Sequence, residues 1–122
     1  MGGEGRILVI DDEPSVADAL SLILEDHGYK VVVAASGREG ISHARRARFA
    51  VTITDLRLPD VDGLHVIRAV RETDATAAVI LATSHVTPEI SAQARACGAA
   101  GVIAKPFTPS EITQLVSALL TP

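Results

Sequence analysis

The apolar run Ile7-Leu8-Val9-Ile10 ends in Asp11-Asp12-Glu13, and the run Val51-Thr52-Ile53-Thr54 ends in Asp55. If both runs are strands of one sheet and lie side by side, Asp11, Asp12 and Asp55 meet at one edge. Carboxylates crowded there repel one another, which raises at least one pKa unless a cation joins them. The natural remedy is a hard cation with oxygen ligands. Mg²⁺ fits best, because it uses few carboxylates, keeps several waters and sits readily beside phosphate oxygens. Two further runs end in Thr83-Ser84 and Lys105-Pro106, which brings a hydroxyl and an ammonium to the same edge. A carboxylate nucleophile, a divalent cation, a lysine and a hydroxyl make up the set that phosphoryl transfer to an aspartate requires, since that reaction is catalysed mostly by positioning and charge neutralisation. The plainer reading of strand-end acids is that they cap the next helix. That reading competes for Glu13 and for part of Asp12, and Thr83 or Lys105 taken alone would be an ordinary surface residue.

The elements that would position these residues are legible from hydrophobic spacing. Five runs rich in Val, Ile and Ala, at 6–10, 30–34, 50–54, 78–83 and 100–104, read as strands. Most are apolar at nearly every position, which suits a parallel sheet covered on both faces. Between them the spacing becomes helical. Val16, Leu20, Ile23, Leu24 and His27 line one face of a first helix, with Pro14 near its first turn and Gly28 as its stop. Residues 36–47 form a second helix with a sparse apolar face of Gly40, Ile41, Ala44 and Ala47. Leu64, Ile67 and Val70 mark a third after Gly63, and Ile90, Ala94 and Cys97 a fourth between Pro88 and Gly98. Ile112, Leu115, Val116 and Leu119 mark a fifth, opened by Thr108 and Pro109. This alternation predicts an α/β fold, a flavodoxin-like (βα)5 doubly wound five-stranded parallel sheet of strand order 2-1-3-4-5. In that order the first and third strands adjoin at the switch point, outside whose carboxyl ends ligands bind.

Composition narrows the function classes. The 122 residues, 48% hydrophobic and 21% charged, predict one globular domain over 1–122. No apolar run approaches the roughly 20 residues of a membrane span, so a soluble, cytoplasmic protein is expected. The amino terminus lacks the basic flank and apolar core of a signal peptide, and Arg6 stands where a myristoylation motif wants Ser or Thr. The single Cys97 cannot form an internal disulfide and reads as a small core residue on a helix. A net charge of −4 argues against nucleic acid as a partner. Arg38, Arg45, Arg46 and Arg48 make one local basic face, read as solvated helix surface because only 2% of residues are aromatic and could stack on bases. His27, His43, His65 and His85 lack a metal-binding spacing, and His27 suits a helix C-terminus.

Taken together the motifs resemble the receiver domain of bacterial two-component response regulators, of the chemotaxis-regulator type, over essentially the whole chain. They are Val9-Ile10-Asp11-Asp12-Glu13-Pro14, Asp55-Leu56-Arg57-Leu58-Pro59 followed by Asp62-Gly63, Ala82-Thr83-Ser84, and Lys105-Pro106-Phe107. The resemblance implies a phosphorylation-dependent signalling switch in which Asp55 is the phosphoacceptor. Asp12 and Asp55 would ligate Mg²⁺ along with the Arg57 backbone carbonyl, and Asp11 would act through a metal-bound water. Thr83 would be the switch hydroxyl, Lys105 would pair with the phosphoryl oxygens, and the Lys105-Pro106 bond would be cis, which X-Pro bonds tolerate at modest cost. The implied partners are a sensor histidine kinase or a histidine phosphotransfer protein, and a downstream protein of unknown identity. Direct nucleic-acid binding and membrane association are not implied, and a monomer or a weak phosphorylation-dependent dimer is expected.

Departures from the family pattern bear on output rather than on acceptor chemistry. Val102 stands where a switch Tyr or Phe is usual, and Ser84 follows the threonine where Ala or Gly is commoner. Arg57 and His85 flank the site at positions that influence how fast water reaches a phosphoaspartate. Three other readings compete. A flavodoxin-type nucleotide binder would need aromatic partners and a glycine-rich phosphate loop after the first strand, where three acids stand instead. A haloacid-dehalogenase-like phosphatase would carry its nucleophile after the first strand in an Asp-x-Asp arrangement. A degenerate receiver that no longer accepts phosphate and works purely as a protein-interaction module is disfavoured because every acceptor-site residue is present. The end of the sequence shortly after the fifth helix leads to the expectation of no output domain.

Overall fold

Strands and helices alternate in the computed structural model, which describes residues 5–120. The strands are β1 (Arg6–Ile10), β2 (Lys30–Ala34), β3 (Val51–Asp55), β4 (Ala78–Thr83) and β5 (Gly101–Ala104). The helices are α1 (Pro14–Asp26), α2 (Gly37–Arg46), α3 (Gly63–Thr73), α4 (Pro88–Cys97) and α5 (Pro109–Leu120). All strand pairs are parallel and the order is β2-β1-β3-β4-β5, as the alternation predicts. The amino-terminal residues read above for export and lipid signals lie largely outside the described residues, as do residues 121–122. Among the described residues no helix is long and apolar enough to cross a membrane.

Successive strand residues point to opposite faces, and the buried side chains sort accordingly. Leu8, Ile10 and Leu81 pack with Ile41 of α2, Ile67 of α3 and Ala94 of α4. Ile7, Val9, Ile53 and Ile80 pack on the other face with Leu20 and Leu24 of α1 and Ile112 of α5. Covering both faces makes β1 fully buried from Ile7 to Ile10, which explains why its sequence does not alternate.

Element ends depart by a residue or so from the sequence reading, and the ladder is the reason. β3 ends at Asp55 rather than Thr54, because Asp55 pairs with Ala82 of β4 despite its poor strand propensity. Ser36 and Ala47 flank α2 as caps rather than belonging to it. Glu13 is the N-cap residue of α1 but makes no side-chain cap bond, so the capping role weighed for it is not what its side chain does. Elsewhere caps are conventional: Asp62 accepts from the His65 amide at 2.9 Å, and Thr87 from the Ile90 amide at 3.1 Å. Thr108 and Glu111 form a reciprocal capping box at α5, with bonds of 2.8 and 3.1 Å. His27 caps the end of α1, its Nδ1 lying 3.0 Å from the Ile23 carbonyl.

Two sequence readings resolve at the surface. Cys97 is half-buried at the end of α4, where its Sγ accepts from Arg68 Nη1 at 3.1 Å, so it is a core-edge residue rather than a core one. Arg38, Arg45, Arg46 and Arg48 are exposed.

Candidate functional site

The adjacency of β1 and β3 delivers the acidic cluster. Asp11 and Asp12 follow β1, Asp55 ends β3, and the three residues offer carboxylate oxygens that all lie within 4.8 Å of one another. Their depths differ. Asp11 is buried, Asp55 is half-buried and Asp12 is exposed, because consecutive side chains leaving a strand point in opposite directions.

Each of the two deeper carboxylates is held by a backbone amide on one oxygen and by Lys105 on the other. Asp11 Oδ1 accepts from the Glu13 amide at 3.0 Å, and its Oδ2 from Lys105 Nζ at 2.7 Å. Asp55 Oδ1 accepts from the Leu56 amide at 2.7 Å, and its Oδ2 lies 3.2 Å from Lys105 Nζ. Burial by itself would lower the Lys105 pKa, yet the hydrogen bond to Asp11 and the charges of Asp11 and Asp55 outweigh it and hold the ammonium above its ordinary value of 10.5. Lys105 is therefore charged throughout the neutral range. Its backbone is fixed as well: the Lys105 amide donates to the Thr83 carbonyl at 2.9 Å, and the Lys105-Pro106 bond is cis, as the resemblance implies.

Three carboxylates face one ammonium, so the cluster keeps a formal excess of two negative charges. An all-oxygen donor set with that excess fits a hard divalent cation, and Mg²⁺ in particular because the carboxylates are few.

An open cleft of about 700 Å³ lies over the cluster. Asp12, Asp55, Arg57, Thr83 and Lys105 all line it, whereas Asp11 sits beneath, behind the lysine. Every site residue inferred from sequence is thus at the same sheet edge. Thr83, at the end of β4, is 1% exposed, and its Oγ1 accepts from the His85 amide at 3.1 Å. Ser84 and His85 stand exposed at the rim, and Val102 is half-buried against the core on the α4 side of the sheet.

Other contributors were missed by sequence reasoning. Val16, Ala19 and Phe107 form an apolar wall of the cleft. Phe107 could have been singled out as one of only two phenylalanines, directly after the Lys-Pro pair. Thr54 is buried and donates to the Asp55 carbonyl at 3.0 Å, and the Gly63 amide donates to the Leu56 carbonyl at 2.7 Å. Both fix the peptide around Asp55, and neither carries a local sequence signal.

A (βα)5 parallel sheet with three acids and a lysine converging at its switch point is the arrangement that the receiver motifs imply. The family model for the response regulator receiver domain matches residues 7–117, and the chain belongs to that family. Among curated relatives, the uncharacterized transcriptional regulatory protein YkoG of Bacillus subtilis is 33% identical over 117 residues, covering 96% of this chain and 51% of the relative. The chain spans about half the length of curated relatives such as this one. Among solved structures, the chemotaxis protein CheY4 of Vibrio cholerae aligns with a TM-score of 0.90 at 33% identity, covering 94% of this chain and 98% of that one. The response regulator TrrA of Thermotoga maritima, solved in complex with Mg²⁺ and a beryllium fluoride, aligns with a TM-score of 0.86 at 30% identity, with coverages of 94% and 98%.

Proposed function

We propose that this chain acts as a single receiver domain that accepts a phosphoryl group on Asp55 from a histidine kinase or a histidine phosphotransfer protein, in a Mg²⁺-dependent reaction, and switches binding of a downstream protein through the Thr83 and Lys105 region. The observation that carries the reading is Lys105 Nζ bridging Asp11 and Asp55 beside a third carboxylate at the floor of an open cleft.

The division of labour follows from the hydrogen bonds. Asp55 Oδ1 is committed to the Leu56 amide, which leaves Oδ2 as the nucleophile. Attack by Oδ2 on the phosphorus of a phosphohistidine forms a P–O bond while the P–N bond breaks, and the imidazole leaves with the electron pair. Lys105, already 3.2 Å from that oxygen, is placed to shift its ammonium to a phosphoryl oxygen while keeping its bond to Asp11. Asp12 and Asp55, with the Arg57 carbonyl, would hold Mg²⁺, and Asp11 would support it through water. When bound, the cation supplies neutralisation of the charge on the transferring group. Thr83 Oγ1, once released from the His85 amide, is the hydroxyl available to the phosphoryl group.

The test is intact-mass analysis after treatment with acetyl phosphate and Mg²⁺. One added phosphoryl group is expected, EDTA should prevent it, and Asp55→Asn should abolish it. Labelling that persists in the variant refutes the assignment. For the oligomeric state, α5 offers a single charged side chain, Glu111, and no basic partner for a charge-complementary α4–α5 interface. A monomer or a weak phosphorylation-dependent dimer is the accompanying reading.

A further inference from the structure

Asp60 lies in the loop between β3 and α3 but spends its carboxylate on a different element. Its Oδ1 accepts from the Gly37 amide at 2.9 Å and from the Val61 amide at 2.8 Å, and its Oδ2 accepts from the Arg38 amide at 3.0 Å. Gly37 and Arg38 are the first two residues of α2, 23 and 22 positions away in sequence. Together with Ser36 Oγ, which accepts from the Glu39 amide at 3.1 Å, this supplies partners for the first three amides of α2. These amides hold the Asp60 carboxyl below its ordinary value, with the Arg38 amide contributing most, although the group stands near solvent. The fit is also steric. A Cβ at Gly37 would collide with Val61 Cγ2 and approach Asp60 Oδ1 to 3.3 Å, so glycine is what allows this loop to seat on α2.

The same loop carries Arg57. Its base is closed by the Gly63 amide bonding the Leu56 carbonyl, and Leu58 and Val61 pack against the core on the α2–α4 face. Asp60 then fastens the far side of the loop to α2. We infer that Asp60 is a positioning residue for the cation site: by tying the loop to the α2 N-terminus it fixes where the Arg57 carbonyl stands relative to Asp12 and Asp55. This rests on the reading above that the Arg57 carbonyl joins those carboxylates around Mg²⁺. A purely structural cap would stabilise α2 and leave the metal unaffected, and α2 supplies the control itself. Ser36 caps the same helix end and belongs to no part of the loop.

The experiment titrates Mg²⁺ by calorimetry into the wild-type chain and into Asp60→Ala, Asp60→Asn and Ser36→Ala, with thermal unfolding of each. Asp60→Ala should raise the Mg²⁺ dissociation constant on the order of 10-fold, the low end of what losing an outer support costs a metal site, and Asp60→Asn by about 3-fold because it keeps one acceptor oxygen. Ser36→Ala should lower the melting temperature yet leave Mg²⁺ affinity within about 2-fold of wild type, since the loop keeps its anchor. Acetyl phosphate labelling of Asp60→Ala should recover at saturating Mg²⁺. Unchanged affinity in both Asp60 variants, or equal weakening by Ser36→Ala, overturns the inference. Should Asp60→Ala fail to fold, Asp60→Asn decides. Mg²⁺ binding that depends on Asp60 in a wild-type chain that takes no label would uphold the positioning role and sink the phosphoacceptor reading. A wild-type chain that takes the label, with Mg²⁺ affinity unchanged in both Asp60 variants, would do the reverse.

Discussion

Gly63→Ala has a cost that follows from the backbone geometry beside Asp55, the proposed acceptor. Gly63 is the first residue of α3, and its Cα faces the backbone that leaves β3. An added Cβ would strike the Asp55 carbonyl oxygen and come within 2.9 Å of Leu56 Cα and 3.0 Å of the Asp55 carbonyl carbon. These are main-chain atoms, so no rotamer change relieves the contact. Either α3 lifts away, straining the 2.7 Å bond from the Gly63 amide to the Leu56 carbonyl, or the Asp55 peptide moves. Overpacking of this kind costs about 1–3 kcal/mol, and a domain of this size loses about 4 °C in melting temperature per kcal/mol. A drop of roughly 4–12 °C is therefore expected, accompanied by slower labelling at Asp55. Two other glycines calibrate the result. At Gly40 the atoms nearest an added Cβ belong to the Ile10 side chain rather than to the main chain, and the gain in helix propensity of about 1 kcal/mol offsets much of the crowding. At Gly101 the nearest atom is Leu115 Cδ1 at 3.4 Å, an ordinary contact, so alanine there should be neutral or stabilising by up to about 1 kcal/mol. Urea and thermal unfolding of the three variants, with mass-detected acetyl phosphate labelling, provide the assay. A Gly63→Ala protein that melts with wild type and is labelled at the wild-type rate would refute the reasoning.

Asp12→Ala should weaken Mg²⁺ binding more than Asp11→Ala, because Asp12 is the exposed member of the cluster while Asp11 has its oxygens engaged by Lys105 and the Glu13 amide; equal losses in a metal titration would contradict this. On binding beryllofluoride with Mg²⁺, NMR shifts should concentrate in the loop from Ser84 to Pro88 and the start of α4, because Val102 has no ring to swing and the His85 amide must release Thr83 Oγ1. Equally large shifts along the outer face of β5 and α5 would count against it. Asp74 is held below the ordinary carboxyl value of 3.8 by the Thr76 hydroxyl and amide, against the opposing cost of burial, with lesser help from the charges of Arg48 and Arg71. A depressed folded pKa contributes stability that is present above 3.8 and lost as pH falls through the lower folded value, so Asp74→Asn should flatten the acid side of the stability profile. Parallel acid profiles for wild type and variant in urea unfolding would rule it out.

The strand–helix alternation and the sheet order were legible in the sequence because apolar periodicity is a local property, and because four right-handed crossovers leave few topologies. The convergence of Asp11, Asp12, Asp55, Thr83 and Lys105 followed from the same rule, since residues placed just past the ends of parallel strands share one edge. The roles proposed for them came from the resemblance of their motifs to the receiver family. What the sequence could not show was which of two adjacent acids lies deep. Asp11 is buried on Lys105 and Asp12 faces the cleft because their side chains leave β1 in opposite directions, and the partner that decides which of them lies deep is 94 residues away. The same holds for Asp60, whose bonds to the α2 amides bridge more than twenty residues and leave no local pattern. Glu13, placed by sequence to cap α1, makes no such bond. Asp55 ends β3 because Ala82 pairs with it, not because aspartate favours a strand. Composition and spacing thus determined which chemical groups reach the edge. Their depth, pairing and support were decided only by packing, where distant segments supply the hydrogen-bond partners that buried polar groups require.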